Sequence, residues 1–203
     1  MILYYILLPL AWIVFHIGFR VECVGRENLK KIETKGCILA PNHISAIDPV
    51  FVVITRFWGR RMVTFAKKEL FEINGFLSWF FRCAGAVCVR GTKEELGIID
   101  ETVDFCKEGG TLLIFPEGTR EKEGTFLPPK SGLFLIAAQA AVDVIPVRIV
   151  YHTPDGKMKP FCKVTVYYGA PIPAGQFAME SRRDMKKLRE NKQLLLQKWS
   201  ELG

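Results

Sequence analysis

The sequence predicts an α/β domain, in which a mixed, largely parallel sheet is flanked by helices, with an N-terminal membrane-associated helix in front of it. Short apolar runs typical of strands alternate with longer segments whose apolar residues recur at helical spacing. This alternation is typical of helices packed over a parallel sheet. The first 19 residues differ because they contain no Asp, Glu, Lys or Arg. We therefore divide the chain into a hydrophobic membrane segment, 1–19, and one folded domain, 20–203, that ends in a basic helix.

The segment 1–19 is predicted to associate with a membrane. As a helix it would measure roughly 28 Å, close to the thickness of the hydrocarbon core of a bilayer. Pro9 would kink such a helix and His16 would weaken it, so spanning and shallow insertion both remain open. The absence of Lys and Arg at its start is not typical of a cleaved signal peptide.

The elements of the domain follow in order along the chain. Strands are predicted at Val21–Gly25, Cys37–Ala40, Met62–Ala66, Gly85–Val89, 111–115, Val144–Tyr151 and Lys163–Tyr168. Helices are predicted at Asp48–Phe57, Glu94–Glu108, 132–141 and 181–202. Asp48 suits the N-cap and Pro49 the first position of the first of these helices, and Gly109-Gly110 ends the second. The aromatic-rich stretch 67–82 is typical of a core, of an interfacial patch or of the wall of an acyl-chain groove.

Charge and composition predict where the protein acts. The net charge of +7 belongs to the domain, because Arg20 is the first cation. A basic body beside an apolar segment suits the anionic cytoplasmic leaflet, so we expect the cytoplasmic face of the cell membrane, with membrane lipids as partners. No nucleic-acid motif is present, and no nucleic-acid partner is expected. The six cysteines show no C-x-x-C spacing, which predicts buried thiols and no metal site.

One motif suggests proton transfer. Asn42-His43-Ile44-Ser45-Ala46-Ile47-Asp48 directly follows the strand-like run that starts at Cys37. A carboxylate that holds an imidazole is the usual device for taking a proton from a hydroxyl near neutral pH. Five residues correspond to about 140° around a helix, so the pair does not share one helical face. The two groups meet if His43 lies in the strand-to-helix turn and Asp48 begins the helix.

A second motif suggests anion binding. Phe115-Pro116-Glu117-Gly118-Thr119-Arg120 follows another strand-like run, which begins at Thr111. A glycine-containing turn followed by arginine presents backbone N–H groups and a guanidinium to a phosphate. The two motifs together predict a proton-abstracting loop and an anion-binding loop, both at strand ends.

These motifs resemble the NHxxxxD and FPEGTR blocks of the 1-acyl-sn-glycerol-3-phosphate acyltransferases, also called lysophosphatidate acyltransferases, of the glycerolipid acyltransferase superfamily. Between them, Gly85-Ala86-Val87-Cys88-Val89-Arg90 is similar to the second block of that family, although Cys88 stands where a larger apolar residue is expected. Downstream, Val144-Ile145-Pro146-Val147 is similar to the fourth block. The resemblance extends from about Val21 to about Pro173.

The resemblance implies acyl transfer from a thioester to the sn-2 hydroxyl of lysophosphatidate, giving phosphatidate in phospholipid biosynthesis. It implies that His43 is the catalytic base and that Asp48 orients it. The implied substrate-binding residues are Arg90, Glu117, Gly118, Thr119, Arg120 and Lys130. Arg120 is the first candidate for the acceptor phosphate, while Glu117 would bind an acceptor hydroxyl or orient an arginine. No cofactor is expected, because acyl-CoA or acyl carrier protein serves as co-substrate.

Two alternatives remain open from the sequence. The same chemistry would act on glycerol-3-phosphate or on another lysophospholipid if the pocket selects a different acceptor. In a different class, the chain would be a non-catalytic membrane lipid-binding protein, and the intact His43/Asp48 pair argues against that class.

Overall fold

A seven-stranded sheet forms the centre of the protein. The structure, a computed structural model, describes residues 2–30, 35–56, 62–67, 86–89, 94–121, 123–179 and 184–203. Within these residues the strands are β1 Arg20–Val24, β2 Cys37–Pro41, β3 Met62–Lys67, β4 Ala86–Val89, β5 Thr111–Leu113, β6 Asp143–Tyr151 and β7 Lys163–Tyr168. The helices are α1 Ile2–Gly18, α2 Glu27–Lys30, α3 Asp48–Arg56, α4 Glu94–Lys107, α5 Gly132–Ala140 and α6 Met185–Ser200, with a 3-10 turn at Ala174–Phe177.

The sheet is mixed and largely parallel, as predicted. The strands lie in the order β1-β7-β6-β2-β5-β3-β4. β6 and β7 pair antiparallel, and the other neighbours pair parallel. In the middle of the sheet β2 lies between β6 and β5, so the loops that follow β2 and β5 leave from the same edge. Carboxyl ends of neighbouring parallel strands are the usual place for a ligand crevice in α/β proteins.

Helices cover both faces of the sheet because alternate residues of its buried strands point to opposite sides. Cys37 and Leu39 of β2 pack with α3, whereas Ile38 and Ala40 pack with α4, α5 and α6. At the second face, Trp199 of α6 is completely buried, and its indole N–H donates to the backbone oxygen of Ala40 at 2.8 Å. The C-terminal helix is therefore part of the core and holds the central strand.

Over its described side chains, 8–18, α1 packs against the domain through one side. The rings of Phe15 and Phe19 meet the ring of Phe51 in α3 edge-on, with centroids 5.3 and 5.2 Å away. Other apolar side chains of α1 face outward, and they include Ile13 and Ile17. In the part of the chain that the structure describes, no helix combines the length and hydrophobicity needed to cross a bilayer. Membrane association of this segment remains a prediction.

The observed bounds differ from the predicted ones for local reasons. The strand predicted at 111–115 ends at Leu113, although Ile114 N–H still donates to Leu39 O at 3.0 Å, because Pro116 has no N–H to continue the ladder. α6 begins at Met185, since the Asp184 carboxylate accepts the Lys187 N–H and caps the helix. Two short elements, α2 and the 3-10 turn, were not predicted. The aromatic stretch from residue 68 onward lies outside the described residues.

Candidate active site

A histidine–carboxylate pair lies at the carboxyl end of β2. The Nδ1 atom of His43 is 2.9 Å from Oδ2 of Asp48. Asp48 is completely buried, while the His43 side chain is 18% exposed. An ionised carboxylate accepts a hydrogen bond, so Nδ1 is the protonated nitrogen and Nε2 is left with its lone pair. The sequence prediction that the turn brings these two residues together is confirmed in the geometry.

The turn that carries His43 is fixed to the neighbouring strand. Asn42 extends β2, because its side-chain oxygen accepts the Ile149 N–H at 2.7 Å and its side-chain nitrogen donates to the Ile149 oxygen at 3.2 Å. The amide side chain thus imitates a strand backbone against β6. The chain then turns within 43–47, and α3 begins at Asp48. Asn42 therefore orders this turn by pairing with β6.

Asp48 organises the turn from inside. Its Oδ2 accepts backbone N–H groups of Ile44 at 2.7 Å and Ser45 at 2.8 Å, in addition to the imidazole. These bonds run back to the turn that precedes the helix, whereas the predicted N-cap role would have placed them in the first helical turn. The hydroxyl of Tyr151, at the end of β6, donates to the other oxygen, Oδ1. A buried carboxylate needs such donors to remain charged.

The predicted anion loop docks directly on His43. Oε1 of Glu117 accepts the His43 backbone N–H at 2.8 Å, and the Glu121 N–H donates to the His43 oxygen at 2.7 Å. The ring of Phe115 lies against the imidazole, with centroids 4.2 Å apart. Oε2 of Glu117 accepts the Leu127 N–H at 3.1 Å, which closes the loop. Glu117 therefore has a further role in this structure beyond those considered from the sequence: it joins the two loops.

Burial sets the electrostatics of Glu117. Its side chain is 3% exposed. Desolvation raises the pKa of the Glu117 carboxyl above its usual value, while the N–H groups of His43 and Leu127 act in the opposite direction.

Gly118 and Lys130 lie together in the same loop. Gly118 has φ +69°, a left-handed conformation that a glycine adopts without steric cost. A Cβ placed there would lie 2.5 Å from Nζ of Lys130, so the lysine side chain passes over the glycine. The Lys130 N–H donates to Pro116 O at 2.8 Å, and this bond closes the base of the loop. Thr119, Arg120 and Lys130 are exposed.

Seven of the eight predicted site residues lie in the described part of the chain, and Arg90 lies outside it. His43, Asp48 and Glu117 are joined by hydrogen bonds, and Arg120 is next to Glu121, which bonds to His43. Sequence reasoning missed Tyr151, because only the pairing of β6 with β2 brings the end of its strand to Asp48. It also missed Phe115, which was treated only as part of a motif.

A histidine oriented by a buried carboxylate is an arrangement suited to taking a proton from a hydroxyl, and an exposed arginine on the adjoining loop is suited to binding an anion. The sequence profile of the acyltransferase family matches residues 20–150, which include both loops. The chain belongs to the acyltransferase family.

Individual relatives support the same grouping. The chain is 33% identical over 138 residues to the 1-acyl-sn-glycerol-3-phosphate acyltransferase of Saccharomyces cerevisiae. The aligned residues make up 66% of this chain and 44% of the relative. It is 28% identical over 134 residues to a chloroplastic 1-acyl-sn-glycerol-3-phosphate acyltransferase of Brassica napus, covering 65% of this chain and 38% of the relative. The chain thus spans less than half the length of these two curated relatives.

The fold is also similar to a solved structure. The crystal structure of the 1-acyl-sn-glycerophosphate (LPA) acyltransferase PlsC from Thermotoga maritima matches with a TM-score of 0.66 and 28% sequence identity. The match covers 90% of this chain and 71% of that one. The similarity therefore includes nearly all of the architecture described above.

Proposed function

We propose that this protein transfers a fatty acyl group from an acyl thioester to the sn-2 hydroxyl of 1-acyl-sn-glycerol-3-phosphate, giving phosphatidate in phospholipid biosynthesis. The observation that carries the proposal is the His43–Asp48 pair, bonded to the loop that exposes Arg120. A base for a hydroxyl and a cation for a phosphate are what this reaction requires of a protein. The names of the relatives support the choice of acceptor.

In the proposed reaction His43 acts through Nε2. It takes the proton of the acceptor hydroxyl as that oxygen attacks the thioester carbonyl. Asp48 stabilises the resulting imidazolium through Nδ1–H. The attack gives a tetrahedral intermediate. When this intermediate collapses, the carbon–sulfur bond breaks and the imidazolium gives its proton to the departing thiolate. No covalent acyl-enzyme is required, because the thioester is already activated.

Arg120 is the proposed primary contact of the acceptor phosphate. It is exposed, and its backbone is one residue from the Glu121 N–H that bonds to His43. A guanidinium binds phosphate oxygens in a bidentate manner. Lys130 adds a second positive charge beside Gly118. The acyl donor is acyl-CoA or acyl carrier protein, and the described residues favour neither.

We also propose that α1 lies in the membrane interface at the cytoplasmic face. Its outward side is an apolar stripe at helical spacing, formed by Leu10, Ile13, Val14 and Ile17, of which Ile17 is 73% exposed. Phe161 is also exposed, and its N–H bonds to Gly18 O at the end of the helix. The net charge of +7 complements an anionic leaflet.

Vesicle flotation tests the membrane proposal. Ile13→Glu/Ile17→Glu places two charges on the stripe and should abolish flotation with phosphatidylglycerol-containing vesicles. Val24→Glu is the control, since Val24 is an exposed apolar residue on β1. Equal flotation of the double variant and the control would refute the proposed orientation of α1.

The reaction is tested with detergent-solubilised protein, acyl-CoA or acyl carrier protein as donor, and a panel of acceptors. Thiol release and lipid product are followed together, so that simple thioester hydrolysis is recognised. We expect release that depends on lysophosphatidate and a turnover roughly 10²- to 10⁴-fold lower in His43→Ala. The control is His152→Ala, because His152 is an exposed histidine whose Nε2 bonds to Thr165 at 2.9 Å and not to the His43–Asp48 pair.

Other outcomes reassign the function in defined ways. Release with glycerol-3-phosphate or another lysophospholipid in place of lysophosphatidate would keep the chemistry and refute the acceptor. Failure of both donors with all acceptors would refute acyl transfer and favour a non-catalytic lipid-binding protein.

A further inference from the structure

The carboxylate behind the proposed base has a donor that the sequence motifs do not include. Asp48 is completely buried, and its two oxygens have different partners. Oδ2 receives the imidazole of His43 together with two backbone N–H groups. Oδ1 receives the hydroxyl of Tyr151, which lies at the end of β6.

Tyr151 is well placed to hold this carboxylate. Its side chain is 2% exposed, and its ring meets Phe51 of α3 edge-on, with centroids 5.9 Å apart. Desolvation by burial, followed by the charge of Asp48, raises the pKa of the Tyr151 hydroxyl above its usual value. The phenol therefore remains a donor throughout the range in which enzymes of this kind work.

We propose that Tyr151 is a positioning residue for the His43–Asp48 pair: its hydroxyl orients Asp48 so that Oδ2 faces the imidazole, and it limits how strongly the pair retains a proton. The proposal rests on the proposed role of His43 as a base. It names a residue outside the HxxxxD and FPEGTR motifs.

The effect of the hydroxyl has a defined direction. A hydrogen bond to Oδ1 withdraws charge from the carboxylate, which weakens its hold on the proton at Nδ1. Without the hydroxyl, Oδ1 is a buried anionic oxygen that has lost its donor, and the pair binds a proton more tightly. Among the described residues, the other titratable or polar groups that face this assembly include Glu117 and Glu121, against His43, and Ser45 and Cys162, near Tyr151. Tyr151→Phe leaves all of these in place.

Tyr151→Phe is the test, because it removes the hydroxyl and keeps the ring that packs on Phe51. Tyr168→Phe is a matched control. Tyr168 is also a buried tyrosine on a neighbouring strand, and its hydroxyl contacts the same helix, at Thr55 (2.8 Å) and Val52 O (3.1 Å), away from the pair. A purely structural role predicts similar behaviour of the two variants.

Three readouts test the inference, and the last of them separates it from the proposed function. We expect the acid limb of the kcat/KM profile to move up by about one pH unit in Tyr151→Phe and to stay in place in Tyr168→Phe. We also expect kcat at the pH optimum to fall roughly tenfold while the KM values stay unchanged. The NMR titration midpoint of His43 should move in the same direction, and this readout needs no substrate.

The outcomes are distinct. A shifted His43 titration in a protein without acyltransferase activity would refute the proposed function and retain the positioning role. An unshifted titration and an unshifted acid limb would overturn the inference, even if kcat falls. If Tyr151→Phe does not fold, fluorotyrosine incorporated into Tyr168→Phe provides the second test. A more acidic hydroxyl should then lower the His43 titration midpoint, and no change would overturn the proposal.

Discussion

Replacing Asp48 by Asn tests the proposed chemistry with little change in shape. Three donors converge on Oδ2, so the introduced amide would place its oxygen there and its NH2 group toward Tyr151. The tyrosine hydroxyl can rotate to accept a hydrogen bond from that NH2 group. The bonds to the turn therefore survive, and the negative charge is what the variant loses.

The size of the effect follows from the separation of the groups. Nδ1 of His43 and Oδ2 of Asp48 are 2.9 Å apart, which puts the charge centres at roughly 4 Å. At an effective dielectric constant of about 20 the attraction between them is about 4 kcal/mol. The imidazolium is only partly formed in the transition state, so we expect kcat/KM to fall by roughly 10²- to 10³-fold. The Nδ1–H tautomer is retained, because the amide oxygen still accepts that hydrogen.

The assay is thiol release with saturating donor and varied lysophosphatidate, accompanied by thermal unfolding of each variant. Asp143→Asn is the charge-matched control, since Asp143 also accepts a backbone N–H, that of Ala174 at 2.9 Å, far along the chain from the turn. We expect Asp48→Asn and Asp143→Asn to unfold at similar temperatures. An Asp48→Asn enzyme that keeps kcat/KM within about threefold of the parent would refute the role assigned to this charge.

Three further predictions concern the loop that holds His43. Arg120→Ala should raise the KM for the phosphorylated acceptor at least tenfold and leave the donor KM unchanged; a change in donor KM alone would contradict the phosphate assignment. Gly118→Ala should lower stability by about 1–2 kcal/mol in denaturant unfolding, because of its left-handed φ. Adding Lys130→Ala to Gly118→Ala should restore the share of the lost stability that comes from the close contact between the new Cβ and the Lys130 side chain. If no stability is restored, that contact does not contribute to the loss. The pKa of Glu117 is raised in the folded protein, so protonation of Glu117 stabilises the fold. This stabilisation is fully present below the pKa that Glu117 has in the unfolded chain, and it is lost as the pH rises through the pKa that Glu117 has in the folded protein. Glu117→Gln should flatten that part of the stability–pH curve, and an unchanged slope would exclude Glu117 as its source.

Most of the fold was predictable because its signals are local. Alternation of apolar runs predicted the strands, and the Gly109-Gly110 pair predicted the end of α4, where the amide of Gly110 bonds to Phe105 O at 2.9 Å. The order of the strands was not predictable in detail, because β6 pairs with β2 across more than 100 residues of sequence. Nothing local in the sequence records that pairing.

The site was predictable to the level of its motifs. From the sequence, His43 and Asp48 meet only if a strand-to-helix turn lies between them, and the observed turn is attached through Asn42 to Ile149. The partners contributed by distant strands were beyond reach, and Tyr151 is the clearest case. Glu117 was assigned to ligand or arginine contacts from the sequence, whereas both of its oxygens accept backbone N–H groups here.

Both backbone polar groups of His43 are engaged by the loop that carries Arg120, through Glu117 and Glu121. The turn of the proposed base and the loop of the proposed anion site are therefore joined through the backbone of His43. If both proposed roles hold, the separation between His43 and Arg120 selects the acceptor, because the phosphate and the hydroxyl of the acceptor have to reach these two residues together. Acceptor choice would then change through the length of the side chain at position 120, with the catalytic pair left untouched.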